Sequence, residues 1–383
     1  MYRLNDQQQS IVERASMIAE EVLLPHAGEV DEKETFPKES IQELAEEGFL
    51  GLTVPEEYGG WGEGIRTACA VLEELAQRCP STSMIYFMHL SGIAAYLERP
   101  QTSEPYLREA AEGEHLTTLA WSEFGSRSHF WAPVSQEQVD GDTVTINAEK
   151  SWVTAGEYTD GYVVSTGWED AETPADSMLY LVLDDDGHMQ PGESWDLLGM
   201  RGNASIPMTI DDLEIPRDRA LSDPGAGMEI MLEVVLPVFQ LGSAAISTGI
   251  AEAATQITRD HLVGNKHEET ESSLADLQNL RERLATMRIE TDRSRAHLES
   301  VIHSVENSSP RTQLMVLESK AAASETARDV TERGMKACGG TAYGKGIPLE
   351  RFFRDSRAAS VMAPTTDVLK DFIGKSLCDM EVF

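Results

Sequence analysis

The sequence is short of cations. It carries 31 Lys and Arg against 66 Asp and Glu, a formal net charge of −35 over 383 residues. Phosphate backbones are held by clustered Lys and Arg, so this balance excludes nucleic acid as a partner and argues equally against an anionic membrane. Self-repulsion of this size strains a compact state in dilute buffer, whereas molar salt, with a Debye length of roughly 3 Å, screens it. The charge reads as adaptation to a salt-rich cytoplasm. A merely acidic mesophilic protein is the plainer alternative.

Cysteine is also scarce. Cys69, Cys79, Cys338 and Cys378 form no C-x-x-C pair, and the nine histidines are scattered. No disulfide framework and no zinc or iron site is expected, and reduced thiols suit a cytosolic protein. The opening residues, MYRLNDQQQSIVERA, lack the apolar core of a secretory signal, so the expected location is cytoplasmic. A long uncharged run lies between Glu233 and Glu252, but it holds Pro237, Gln240, Gly242, Ser243, Ser247, Thr248 and Gly249. It reads as a buried helix contact and not as a membrane span. There is no internal repeat and no low-complexity segment.

What is present suffices for a globular fold. At 41% hydrophobic residues the chain can build a core, and its length suits two or three domains. Residues 1–115 read as a helical domain. Ile11, Ala15, Ile18, Val22 and Leu23 recur at helical spacing, as do Ile41, Leu44, Ala45 and Leu50 after Pro37, and a third segment runs from Thr67 to Arg78. The Gly-dense PEEYGGWGEG (55–64) is a loop. Residues 116–225 change texture: LTTLAWSE, TVTINAEKSWVT, GYVVSTGW, SMLYLVLD and MTIDDLEIP are short, β-branched or aromatic segments between turns. From 226 to 383 the helical period returns. Leu274, Leu277, Leu280, Leu284, Met287, Thr291, Arg295, Leu298 and Ile302 trace one stripe, about 40 Å long at 1.5 Å per residue. Leu314, Leu317, Ala321, Ser324 and Arg328 trace another, with turns expected at 265–273 and 306–311. The expected fold is mostly α with a central β domain: an N-terminal helical domain, a small β-barrel-like domain and a C-terminal four-helix bundle.

Four segments carry a resemblance. VPEEYGGWG (54–62), INAEKSWVTAG (146–156), LLGMRGN (197–203) and CGGTAYGKGIPLERFFRD (338–355) stand in order and at spacing similar to those of the acyl-CoA dehydrogenase flavoproteins. The resemblance covers essentially the whole chain. It implies FAD as cofactor, an acyl-CoA or related thioester as substrate, an electron-transfer flavoprotein as a compatible partner, and a homodimer or homotetramer. Trp152 and Thr154 lie two apart, hence on one side of a strand. The resemblance sets them against the flavin, although a core Trp beside a strand Thr would give the same pattern. LAWSEFGSRSH (119–129) occupies the place of a flavin- and acyl-bordering loop. Trp121 and Ser122 fall there as cofactor contacts, Ser128 as a substrate contact, and Phe124 and His129 depart from the family pattern. Gly339 and Gly340 match a pair that meets the FAD of a neighbouring subunit, with Lys336 nearby and Thr365 as a further FAD contact. Asn265 and Lys266 are the nearest match to a pyrophosphate-binding arginine. Glu350, Arg351, Arg354 and Asp355 read as a structural charge network.

The family's reaction takes a proton from Cα of an acyl thioester, which requires a base at the carbon. The usual glutamate position is Ala363 in VMAPTTDVL (361–369), and the alternative position on the first bundle helix is Phe239, followed by Gln240. Neither holds a carboxylate. The amide of Ala363 remains as a thioester contact. Asp367, one helical turn beyond, is a candidate substitute base, and Gln240, Glu123 and His129 are weaker ones. Three functions stay open: α,β-dehydrogenation with a relocated base, a flavin-dependent monooxygenase on the same fold, and a catalytically silent flavin- or CoA-binding paralogue.

Overall fold

The computed structural model describes residues 2–127 and 129–382. The N-terminal part is helical: α1 (Asp6–Ile18), α2 (Leu24–Lys33), α3 (Lys38–Glu46), α4 (Ile65–Ala76), α5 (Pro80–Tyr96) and α6 (Pro100–Ala111). Asn5 starts α1 with a reciprocal cap: its side chain accepts from the Gln8 N–H at 2.9 Å, and the Gln8 side chain accepts from the Asn5 N–H at 3.1 Å. In α5 every residue but Ala94 is buried. A helix covered on all sides has no polar face, so no 3.6-residue apolar stripe marks it in the sequence.

Among the described residues seven strands follow: β1 (Thr117–Ala120), β2 (Gln138–Asp140), β3 (Thr143–Val153), β4 (Gly161–Gly167), β5 (Ser177–Leu183), β6 (Met189–Pro191) and β7 (Ile206–Pro216). They form two sheets, a three-stranded one in the order β1-β4-β5 and a four-stranded antiparallel one in the order β2-β3-β7-β6. Among the described residues there is no closed barrel; the β domain is two packed sheets. Alternation explains the long apolar runs of β4 and β5. Tyr162, Val164, Met178, Tyr180 and Val182 face the second sheet, whereas Val163, Leu179 and Leu181 join the helical core. Both faces are covered, so these strands are apolar throughout.

The chain then returns to helix through α7 (Gly227–Glu229), α8 (Leu236–Gly264), α9 (Gln278–Glu306) and α10 (Thr312–Cys338), followed by α11 (Gly340–Tyr343), α12 (Leu349–Asp355), α13 (Ala358–Val361) and α14 (Thr366–Leu377). Helices α8, α9 and α10 pack on one another, and α14 packs on α10. Leu277, placed in the stripe by spacing, is 49% exposed and precedes the helix, which begins at Gln278. Gly227–Gly264 is long and apolar enough to cross a membrane, and 67% of its apolar window is buried inside the fold. Glycine permits that packing: a Cβ on Gly242 would meet the Phe87 ring at 2.4 Å, and one on Gly249 the Glu73 carbonyl at 2.5 Å.

Two charge networks tie the parts together. Glu73 on α4 and Glu252 on α8 share Arg295 of α9, whose guanidinium reaches them at 2.6 and 2.7 Å. Arg354 on α12 grips Asp31 of α2 through two bonds of 2.8 and 2.6 Å, reaches Glu350 at 2.8 Å, and donates to the Leu198 carbonyl at 3.1 Å. Beside it, the Asp355 carboxylate accepts from the Met200 N–H at 2.7 Å. A Cβ on Gly199 would meet Arg354 backbone at 2.5 Å, which is why the turn at this approach has glycine.

Burial pushes the Asp355 carboxyl up to about 6, above its ordinary value, against the opposing Met200 hydrogen bond. A carboxyl with a raised folded-state pKa contributes stability while protonated and loses it as pH rises through the folded value. Relative to Asp355→Asn, which keeps an oxygen for the Met200 amide, the native protein should therefore lose on the order of 1 kcal/mol of stability between pH 5 and pH 7. Urea unfolding of both proteins at the two pH values checks this; parallel behaviour would show that Asp355 titrates alike folded and unfolded.

Candidate active site

A cavity of about 680 Å³ opens where the three parts meet. Its β-domain wall starts at the end of β1. The segment after it runs beside the end of β3: the Ser151 N–H donates to the Ser122 carbonyl at 2.8 Å and the Phe124 N–H to the Glu149 carbonyl at 3.1 Å. That pairing brings Trp121 and Ser122 alongside Trp152 and Thr154, and all four line the cavity. Trp152 is 49% exposed and stacks on Trp195 with ring centroids 5.1 Å apart. Trp195 in turn donates from its indole to the Ser151 carbonyl at 3.3 Å. The Thr154 hydroxyl meets the Ser205 hydroxyl at 2.9 Å.

The Trp121 ring is buried against Phe130, and its indole N–H has no hydrogen-bond partner among the described residues. A buried donor without an acceptor is costly. The opposite wall comes from Met84 and Met88 of α5, Leu236 and Phe239 of α8, and Met362 and Ala363 after α13. One wall is thus aromatic with hydroxyls at its edge, and the other is apolar. A flat heteroaromatic ring system with polar atoms along one side fits this lining.

Glu123 is the only carboxylate among the described lining residues. It is not free to act as a base. Its carboxylate accepts from Lys150 Nζ at 2.6 Å, from the Val134 and Ser135 N–H groups at 2.6 and 2.8 Å, and from the Ser135 hydroxyl at 2.6 Å. Burial alone would raise its pKa; the Lys150 ammonium and the Ser135 bonds outweigh that and hold it below the ordinary range. Lys150 is wholly buried and also donates to the Ser165 carbonyl at 2.6 Å. The pair is a brace under the cavity floor.

The remaining sequence candidates are spread out. Asp367 is exposed in the first turn of α14 and does not line the cavity. His129 is exposed and stacks on Trp131 at 4.9 Å. Gln240 is fully buried, one residue past Phe239, with neither amide atom bonded to a described protein group. Thr365 caps α14 by accepting from the Val368 N–H. Lys336 pairs with Glu332 at 2.8 Å on the surface of α10, and Gly339 and Gly340 have open space where a Cβ would stand. Ser128 lies outside the described residues.

Two groups at this site were not singled out by sequence. Arg357 lines the cavity, donates to the Thr331 hydroxyl at 3.0 Å and lies 3.8 Å from the Phe353 ring centroid. Lys320 on α10 is fully buried and donates to the carbonyls of Met362 and Pro364, both at 2.8 Å. Burial pushes its amine down to about 7. The sequence signal for Lys320 was its place among Leu317, Ala321 and Ser324, where a charge interrupts an apolar stripe.

The brace can be tested directly. Lys150→Met leaves a buried carboxylate without its cation and should cost about 3 kcal/mol, whereas Glu123→Gln/Lys150→Met should be less destabilised than Lys150→Met alone. Urea denaturation of the set reads the coupling; additive losses would mean the two groups stand independently.

Residues 5–114 match the family model "Acyl-CoA dehydrogenase, N-terminal domain", and residues 225–378 match "Acyl-CoA dehydrogenase, C-terminal domain". The chain is 27% identical to the probable acyl-CoA dehydrogenase FadE25 of Mycobacterium tuberculosis (strain ATCC 25618 / H37Rv), over 98% of this chain and 97% of that one. It is 26% identical to the mitochondrial short-chain specific acyl-CoA dehydrogenase of Rattus norvegicus, over 91% and 85%. Among solved structures, the fold is similar to butyryl-CoA dehydrogenase from Megasphaera elsdenii, with a TM-score of 0.92, 23% identity, and coverage of 99% of this chain and 100% of that one. It is also similar to the prolyl acyl carrier protein oxidase AnaB, with a TM-score of 0.88, 20% identity, and coverage of 98% and 99%.

Proposed function

The chain belongs to the acyl-CoA dehydrogenase family, and from that membership we propose that it is an FAD-dependent oxidoreductase acting on the CH–CH bond of an acyl thioester, carried by CoA or by a related carrier. The observation that carries this reading is the lining itself: the half-exposed Trp152 ring shares one wall with Trp121 and with the hydroxyl residues Ser122 and Thr154. They fit an isoalloxazine. Bound FAD would accept the hydride that leaves Cβ. The residues of this chain would do the rest: Trp152 packs the ring, the hydroxyls meet its polar edge, and the Met84, Met88 and Phe239 side chains exclude water from the acyl chain. The Ala363 amide is the donor for the thioester oxygen. Lys336, Gly339, Gly340 and Thr365 lie away from the cavity, and the open surface at the glycine pair suits contact with the FAD of a second copy, hence a homodimer or homotetramer.

A second reading has one specific support. With Ala363 and Phe239 at the two base positions and Glu123 locked by Lys150, no free carboxylate lines the cavity among the described residues. A flavin-dependent monooxygenase requires no base at Cα, so the same cavity would serve oxygen chemistry.

One experiment separates these. Protein purified in high salt should show a flavin visible spectrum, and anaerobic addition of an acyl-CoA panel should bleach it. Bleaching supports dehydrogenation by a base outside the two usual positions. A yellow protein that no acyl-CoA bleaches, but that consumes oxygen when supplied with reduced flavin, supports the monooxygenase. Colourless protein that FAD does not reconstitute overturns both.

A further inference from the structure

The amine of Lys320 has an unusual setting. It is fully buried, and among the described residues it has no carboxylate within ion-pair distance. The nearest ring is Phe239, whose centroid lies 5.5 Å from Nζ. Burying an amine without a counter-ion is expensive, and here only two backbone carbonyls offset it, those of Met362 and Pro364, each at 2.8 Å. A methionine or leucine would fill the same space at lower cost if packing were the only demand.

The two carbonyls flank Ala363. The Met362 carbonyl and the Ala363 N–H belong to one peptide group, and in a trans peptide they point in opposite directions. Since the carbonyl faces Lys320 on α10, the N–H faces the other way. Ala363 lines the cavity, and its N–H has no protein acceptor among the described residues. One turn along α10, the Ser324 hydroxyl meets the Thr366 hydroxyl at 3.3 Å, so the same helix face holds both ends of the 362–366 segment.

We propose that Lys320 is a positioning residue for the thioester: by bonding both carbonyls that flank Ala363, it polarises the Met362–Ala363 peptide and presents the Ala363 N–H to the cavity as the donor for the thioester carbonyl oxygen. Hydrogen bonds in series strengthen one another, and a donor whose peptide is already held by Lys320 carries more positive character at its hydrogen, most of all below pH 7, where the amine is an ammonium. An enolate-like oxygen is then stabilised from a chain that lacks the family's glutamate side chain at this very residue. The proposal rests on the thioester reading above.

The sequence offers a clean probe. Met–Ala occurs once in the chain, at Met362–Ala363. Protein carrying carbonyl-¹³C methionine and ¹⁵N alanine, loaded with FAD, therefore gives a single carbon-selected amide signal, that of Ala363. Acetyl-CoA, which has no Cβ hydrogen to lose, should move this signal downfield, and S-ethyl-CoA, which lacks the carbonyl, should not. In Lys320→Met the acetyl-CoA shift should fall by about half or more, because a charge-assisted bond is roughly twice as strong as a neutral one. Acetyl-CoA that binds without moving the Ala363 signal in the unsubstituted protein overturns the proposal, even if Lys320→Met does not fold. An undiminished shift in Lys320→Met overturns it too. Failure of any acyl-CoA thioester to bind would overturn the thioester reading itself, a result distinct from binding with an unmoved amide.

Discussion

Arg354 is the constraint on which the arrangement depends. Its guanidinium is shared by Asp31 from the first helical part, Glu350 from its own helix and the Leu198 carbonyl from the β domain. The adjacent Asp355 holds the Met200 amide. Three parts of the chain, more than 300 positions apart at the extreme, are registered by two consecutive residues. The cavity lies at that junction and Arg354 lines it, so this clasp bears directly on how its walls are placed. Charged hydrogen bonds suit the task because their geometry is strict; an apolar contact would hold the parts together without fixing their register.

The same economy recurs beneath the site. Buried cations are used as backbone and side-chain organisers and not as surface charges. Lys150 fixes the Glu123 loop against β3, and Lys320 fixes the turn after α13 against α10. In a chain with about twice as many acids as bases, these two lysines are among the most buried side chains. Screening by external salt does not reach such sites, so the interior would keep its electrostatic order while the surface charge is left to the solvent.

Much of this was legible in the residues. The helix–β–helix order followed from a change of period, and the strands β1, β3, β4, β5 and β7 were each visible as short β-branched or aromatic runs. The edge strands β2 and β6, three residues each, are too short to show a period. Helix α5 was hidden because burial on all faces erases the polar stripe by which a helix is read, and the open two-sheet packing depends on pairings between distant strands. At the site, Trp121, Ser122, Trp152 and Thr154 lie on contiguous stretches of chain and share one wall. Lys336, Gly339 and Gly340 do not line that wall in a single copy, and spacing along a chain cannot say whether two places meet across copies. Lys320 was missed because its significance is a contact with backbone 42 and 44 residues away, which a lone charge in an apolar stripe does not disclose.

Helix α5 has one more consequence, and it concerns time. Its covering comes from α4, made before it, from β1, which follows soon after it, and from α8, which begins only at Leu236. During synthesis at roughly 5–20 residues per second, the interval between β1 and α8 is on the order of ten seconds. For that interval a seventeen-residue segment with almost no polar face leaves the ribosome without its final neighbour. The nascent chain must either dwell in a provisional packing against its own first helices or be shielded by a chaperone until the bundle arrives, so the maturation of this protein is paced by translation of its last third.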